Sequence, residues 1–141
     1  MITEILKLTG HVTVALNGEV VQEIPNLVVT TGKGYVASRM KDTTASAMSH
    51  MAVGTDTTAA SAGDTALGAE AGRVTLTSST VSGSGITYSA TFPAGTGTAA
   101  LTEAGILNAS SSGTLLCRTV FSVVNKQNSD AMTISWLVQA S

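Results

Sequence analysis

Ile86-Thr87-Tyr88-Ser89-Ala90-Thr91-Phe92 decides the fold class, because apolar side chains alternate without a break with hydroxyl-bearing ones. Period-two alternation places one set of side chains on each face of an extended strand, which is the signature of a half-buried β-strand. Pro93 ends the run. The same pattern returns near the end of the chain, where Met132, Ile134, Trp136 and Val138 share one face and Thr133 and Ser135 the other. At the other end, Lys7 to Leu16 and Glu19 to Ile24 read as strands joined by Asn17-Gly18. That dipeptide is a strong hairpin signal, since both central residues of a type I′ turn need positive φ.

Further strands are expected over Asn26 to Val29, His50 to Val53, Arg73 to Thr80, Glu103 to Leu107 and Leu115 to Val124. Gly/Ser turns, or the Lys126-Gln127-Asn128-Ser129-Asp130 turn, separate the later ones. Pro25 cannot donate to a ladder and marks an edge or a break. One short helix is expected from Thr31-Gly32-Lys33-Gly34 to Met40, capped by Thr30 or Thr31. Its apolar stripe would run through Val36 and Met40, four residues apart. A single helical turn is expected over Asp64 to Glu70, with Asp64 as its cap. Eight or more short antiparallel strands with one short α-helix indicate a mainly β chain, an antiparallel β-sandwich of jelly-roll-like type. Residues 1–141 are expected to form a single β-sandwich domain with a short N-terminal arm.

Composition narrows the function classes. The chain has 141 residues, of which 43% are hydrophobic but only 4% aromatic and 11% charged, with a net charge of −2. So few charges and a positive mean hydropathy suit a surface partly covered by other subunits. No Lys/Arg cluster offers a footprint for nucleic acid. No run approaches the length of a membrane span, and the N-terminus is too short and acidic for a secretory signal. Cys117, the lone cysteine, sits in an apolar run and reads as a small buried hydrophobe.

Among so few charges, Glu70, Arg73 and Glu103 stand out beside apolar strand-like runs. A carboxylate next to a buried sheet is costly unless paired. The block from Met51-Ala52-Val53-Gly54-Thr55 through Thr65-Ala66-Leu67 to Arg73 is therefore expected to meet the block Leu101 to Leu107, forming a structural charge bracket. The bracket lacks a neighbouring nucleophile, a second base or a metal set, so a structural role is expected over catalysis. His11 and His50 have no ligand partner at metal spacing. Asp42, Asp56, Asp64 and Asp130 lie in turn-like contexts where Asx hydrogen bonding is the ordinary explanation. Thr31-Gly32-Lys33-Gly34 lacks the spacing of a phosphate loop. No enzyme activity, no cofactor and no metal are expected.

Taken together, these blocks resemble a family of tailed-bacteriophage virion proteins. The likeness rests on Asn26 to Thr30, Thr31-Gly32-Lys33-Gly34-Tyr35-Val36-Ala37, Val53-Gly54-Thr55, Thr65-Ala66-Leu67 with Glu70 and Arg73, Thr102 to Ile106, Gly113 to Thr119, and the strand containing Trp136. It covers most of the chain and resembles both capsid decoration (cement) proteins and tail or fibre β-sandwich proteins. What the resemblance implies is a decoration protein that binds the outer shell and bridges major capsid protein subunits. A tail, baseplate or fibre-adaptor protein is the alternative. The chain stops directly after its last strand, without shaft repeats, which favours decoration.

The expected partners are the major capsid protein and further copies of the chain, as dimer or trimer, without direct contact to nucleic acid or membrane. The expected location is the virion, assembled in the host bacterial cytoplasm. Met1, Ile2, Ile5, Leu6, Pro25 and Met48 are the expected inter-subunit contacts. A carbohydrate-binding module would need exposed aromatics, whereas Tyr88, Phe92, Phe121 and Trp136 all fall on apolar faces.

Overall fold

The computed structural model describes residues 4–141. Its ten strands and one helix run in the order β1 (Leu8–Leu16), β2 (Glu19–Pro25), β3 (Leu27–Val28), α1 (Thr30–Lys41), β4 (His50–Gly54), β5 (Glu70–Thr75), β6 (Ser78–Ser82), β7 (Gly85–Phe92), β8 (Ala99–Leu107), β9 (Leu115–Lys126) and β10 (Met132–Ala140). They form two five-stranded antiparallel sheets, in the orders β2-β1-β10-β7-β6 and β3-β9-β8-β4-β5. This is the β-sandwich that the alternating strands predict. The jelly-roll wrapping does not follow from the strand order: β1–β2 and β6–β7 pair within the first sheet, and β4–β5 and β8–β9 within the second.

The register shows how alternation builds the core. Val12 pairs with Trp136 and Trp136 with Tyr88; one pleat along, Val14 pairs with Ile134 and Ile134 with Ala90. These rows are buried and face Met51 and Val53 of β4, Leu101 and Ile106 of β8, and Cys117 and Phe121 of β9. The hydroxyls opposite pair across the outer face, Ser89 with Ser135 at 3.2 Å and Thr91 with Thr133 at 3.1 Å. Burial raises the Cys117 thiol far above its ordinary pKa and pushes the Tyr88 phenol up to about 12. Asn17 (φ 51°) and Gly18 (φ 83°) form the left-handed turn that the hairpin signal predicts.

Three local expectations are corrected. The stretch Arg73 to Thr80 is two strands, because the chain leaves one sheet after Thr75 and joins the other at Ser78. The crossing is held by the Leu76 amide on the Ser49 carbonyl (2.9 Å) and the Thr77 amide on the Ser89 carbonyl (2.7 Å). Asp64 to Glu70 forms bends that lead into β5 at Glu70, without a helical turn, since its polar groups are tied to the sheet beneath. The helix begins one residue earlier than expected, and its N-cap is Val29, with no side-chain cap bond. The Thr31 hydroxyl instead donates to the Leu115 carbonyl (3.0 Å), fastening the first turn to β9.

The helix is seated through Gly32, its buried residue. A Cβ there would fall on the Leu116 carbonyl, so only glycine lets the two backbones approach this closely. Tyr35 and Val36 pack against the core from the same side. Met40 does not complete the stripe: it is 83% exposed.

Candidate functional site

The second sheet is covered on its outer face too, which places the polar site. Val29, Ala52, Leu67, Leu107 and Leu115 form a small apolar cluster separate from the main core. Leu67 belongs to the long 55–69 connection between β4 and β5, which therefore lies on the sheet. A loop pressed onto a sheet must satisfy its backbone groups there. Glu103 does much of this.

Glu103 on β8 is fully buried. One carboxylate oxygen accepts the amides of Asp56 (3.0 Å) and Ala69 (2.8 Å), and the other accepts the Gly68 amide (2.9 Å). The latter oxygen also takes Nε of Arg118 at 3.1 Å, and the guanidinium Nη2 lies 3.0 Å away. Arg118, on β9, is the hub: it also reaches Asp64 Oδ2 (3.0 Å), Asp56 Oδ2 (3.4 Å) and the Thr58 carbonyl (3.1 Å). One buried guanidinium thus fixes two loop aspartates while one buried carboxylate holds three loop amides. Thr102 adds its hydroxyl to the Asp56 carbonyl at 2.8 Å.

Glycines make room for this clamp. Gly54 faces Glu103 across the β4–β8 pair, and a Cβ on it would meet the Ala69 carbonyl and, at 2.5 Å, the Glu103 carboxylate. A Cβ on Gly68 would collide with the Asp56 carboxylate. Asp56 is also an Asx turn, accepting the Thr58 amide (3.1 Å) and hydroxyl (3.0 Å). Those bonds, with Arg118 adding to them, hold its carboxyl below the ordinary range.

The predicted bracket is therefore two clamps. Its sequence blocks do meet, since β4 pairs with both β5 and β8. Glu70 and Arg73 pair with each other, Nη2 to Oε1 at 2.6 Å and Nε to Oε2 at 3.0 Å. Arg73 then donates to the Ala109 and Ser112 carbonyls, both at 2.9 Å, holding the β8–β9 turn. Glu103 takes its cation from Arg118, not from Arg73. Sequence reasoning overlooked Arg118, although a lone arginine inside Leu115-Leu116-Cys117-Arg118-Thr119-Val120-Phe121 was a signal, because such a charge needs a buried partner.

The expected contact residues separate. Met1 and Ile2 lie outside the described residues. Ile5 and Leu6 are exposed. Pro25 ends β2, an edge strand. Met48 is corrected: it is buried in this chain's own core and presents nothing to a partner.

An open groove lies between the arm and the helix. It encloses about 580 Å³ and is lined by Ile5, Leu6, Leu8, Val36, Ala37 and Met40, with Lys7 and Lys33 at its rim.

Tyr88, Phe92, Phe121 and Trp136 are in the core, so they offer no stacking platform for a sugar. Among the described residues no group of three or more His, Cys, Asp and Glu is placed to hold a metal ion. Asp56, Asp64 and Glu103 surround a guanidinium instead. No helix among the described residues is long and apolar enough to cross a membrane. Comparison with protein-family models, with curated proteins and with solved structures gave no match for this chain.

Proposed function

We propose that the chain is a structural subunit of a tailed-bacteriophage virion, a decoration protein seated on the outer capsid shell across neighbouring major capsid protein subunits. The observation that carries an assembly role is the exposed apolar groove beside the arm, with Ile5, Leu6 and Met40 all well exposed. Solvated apolar groups clustered in this way favour burial against another protein surface. The assignment to a phage shell rests on the resemblance in the sequence blocks. The internal clamps are consistent with it, because a subunit under mechanical load benefits from long loops fixed to the sheet. Many copies, each adding buried area across a junction, would resist shell opening collectively.

Quantitative mass spectrometry of purified virions tests the reading. A copy number comparable to that of the major capsid protein is expected. A small fixed number set by the symmetry of the tail reassigns the chain to the tail, baseplate or fibre-adaptor class, and absence from virions overturns both.

A further inference from the structure

The charges left over after the clamps are formed are unevenly distributed. Of the seven Lys and Arg in the chain, Arg73 and Arg118 are engaged as above, and Lys126 is buried with its ammonium on the Pro93 carbonyl at 3.0 Å. The remainder, Lys7, Lys33, Arg39 and Lys41, all lie on the arm or on α1. They outweigh the acids of the same region, Glu4 and Asp42. Ile5, Leu6 and Met40 are exposed in their midst.

The β2 edge of the sheet carries the reverse pattern. Val20 and Val21 of β2 and Val123 of β9 are exposed, and the Gln22 side chain bonding to the Ser122 carbonyl at 3.3 Å brings these strands together. Glu19 and Glu23 lie on the same edge strand. Asp130 sits beside the β1–β2 turn, held by the Asn17 amide at 2.9 Å. Lys126, the nearby cation, is buried, and the His11 imidazole lies 3.6 Å from Glu23. Along the nine-residue β1, Leu8 at the groove and Leu16 stand roughly 25 Å apart at the rise of an extended chain. Glu19 pairs with Leu16 at the far end and Glu23 with Thr13 midway. One copy cannot bring its own patches together.

We infer that the basic apolar groove of one copy docks on the acidic apolar β2–β9 edge of the next. The occupant of the groove is thus a second copy of this chain, and the contact is head-to-tail. Complementary charge argues for this partner, because two grooves or two β2 edges facing each other would set like charges together. A contact between different patches closes into a ring if the rotation permits and otherwise propagates as a filament. The inference does not rest on the virion reading, since it concerns the isolated chain.

The test is a charge exchange read by sedimentation velocity on the purified full chain. Lys33→Glu with Lys41→Glu makes the groove end acidic; Glu19→Lys with Glu23→Lys makes the edge basic. All four positions are exposed, and thermal melting verifies that each variant remains folded. Wild type is expected to self-associate with rising concentration, less so at high salt. Each variant alone is expected to stay monomeric, and an equimolar mixture of the two to recover the wild-type association. A monomeric wild type assigns the groove to some other partner and overturns the proposal. So does either variant associating alone as wild type does, which would mean that like patches pair, or a mixture that stays monomeric.

Discussion

Glu103→Ala is the sharpest perturbation of this fold. The substitution removes the acceptor of three loop amides and leaves the Arg118 guanidinium, 3% exposed, without its fully buried partner. Breaking a buried ion pair from one side costs about 3–5 kcal/mol. Orphaned amides add about 1 kcal/mol each where the loop cannot lift to reach water. Arg118 retains Asp56 and Asp64, which are partly exposed and able to follow it, so a total of about 3–5 kcal/mol is expected. Urea unfolding measures this through the midpoint at unchanged slope. Native-state hydrogen exchange locates it, with protection lost first at the amides of Asp56, Gly68 and Ala69. Arg118→Met combined with Glu103→Ala should cost less than the sum of the single variants by about 1–3 kcal/mol, the mark of residues in contact. A Glu103→Ala protein within about 0.5 kcal/mol of the parent, with those amides still protected, would refute the idea that this carboxylate holds the loop; that margin is the usual range for surface substitutions.

Other positions yield separate expectations. Gly32→Ala should gain about 1 kcal/mol of helix propensity and lose more to the collision with the Leu116 carbonyl, for a net loss of about 1–3 kcal/mol; a higher melting temperature would show that α1 can shift outward. Lys126→Met replaces a buried ammonium that has a single hydrogen bond. Stability unchanged or raised by about 1 kcal/mol is expected in urea, and a clear loss would mean that the charge stabilises the Pro93 loop. In acid, the depressed carboxyls matter: Thr58 holds Asp56 low through its amide and hydroxyl, and the Asn17 side chain and Gln127 amide do so for Asp130. A lowered folded-state pKa contributes stability above the unfolded value, lost as pH falls through the folded one. Melting temperature should therefore hold steady to about pH 5 and drop below about pH 4. Asp56→Asn should lower the melting temperature at neutral pH and reduce the acid drop; an unchanged acid drop argues against the assignment.

What could be read beforehand divides along physical lines. Period two and the Asn17-Gly18 turn are local signals, and they located the hairpin, β7 and β10 with the correct inward faces. Strand exchange between sheets is a matter of tertiary packing, so Arg73 to Thr80 looked like one strand although Leu76 and Thr77 bond to different sheets. The clamp was half legible. A buried carboxylate at Glu103 was expected to need a partner, but sequence proximity to Glu70 suggested Arg73, and the cation came from β9. Consecutive apolar residues at Met51-Ala52-Val53 and Leu115-Leu116-Cys117 held the missing clue, because a strand buried on both faces reads as a continuous run. They indicated that something covers the outer face of that sheet, and the 55–69 loop is that cover. Met40 misled because it shares a stripe with Val36, which does pack on the core, and four-residue spacing does not say how far along the helix that stripe is covered.

The division of charge between interior and exterior has a consequence that one titration can separate. Arg118 and Glu103 are nearly inaccessible to solvent, and ions in solution screen buried pairs weakly. Lys33, Arg39, Lys41, Glu19 and Glu23 are exposed, where a Debye length of about 8 Å at physiological ionic strength weakens attraction across a contact. Raising salt should accordingly leave the urea midpoint of the dilute chain nearly unchanged while reducing self-association. If both fell together, the charges that hold the loop and those that join copies would belong to one coupled network, and the separation of a structural clamp from an assembly surface would be wrong. If association strengthened with salt, apolar burial alone would drive it, and the head-to-tail pairing would lose its electrostatic argument.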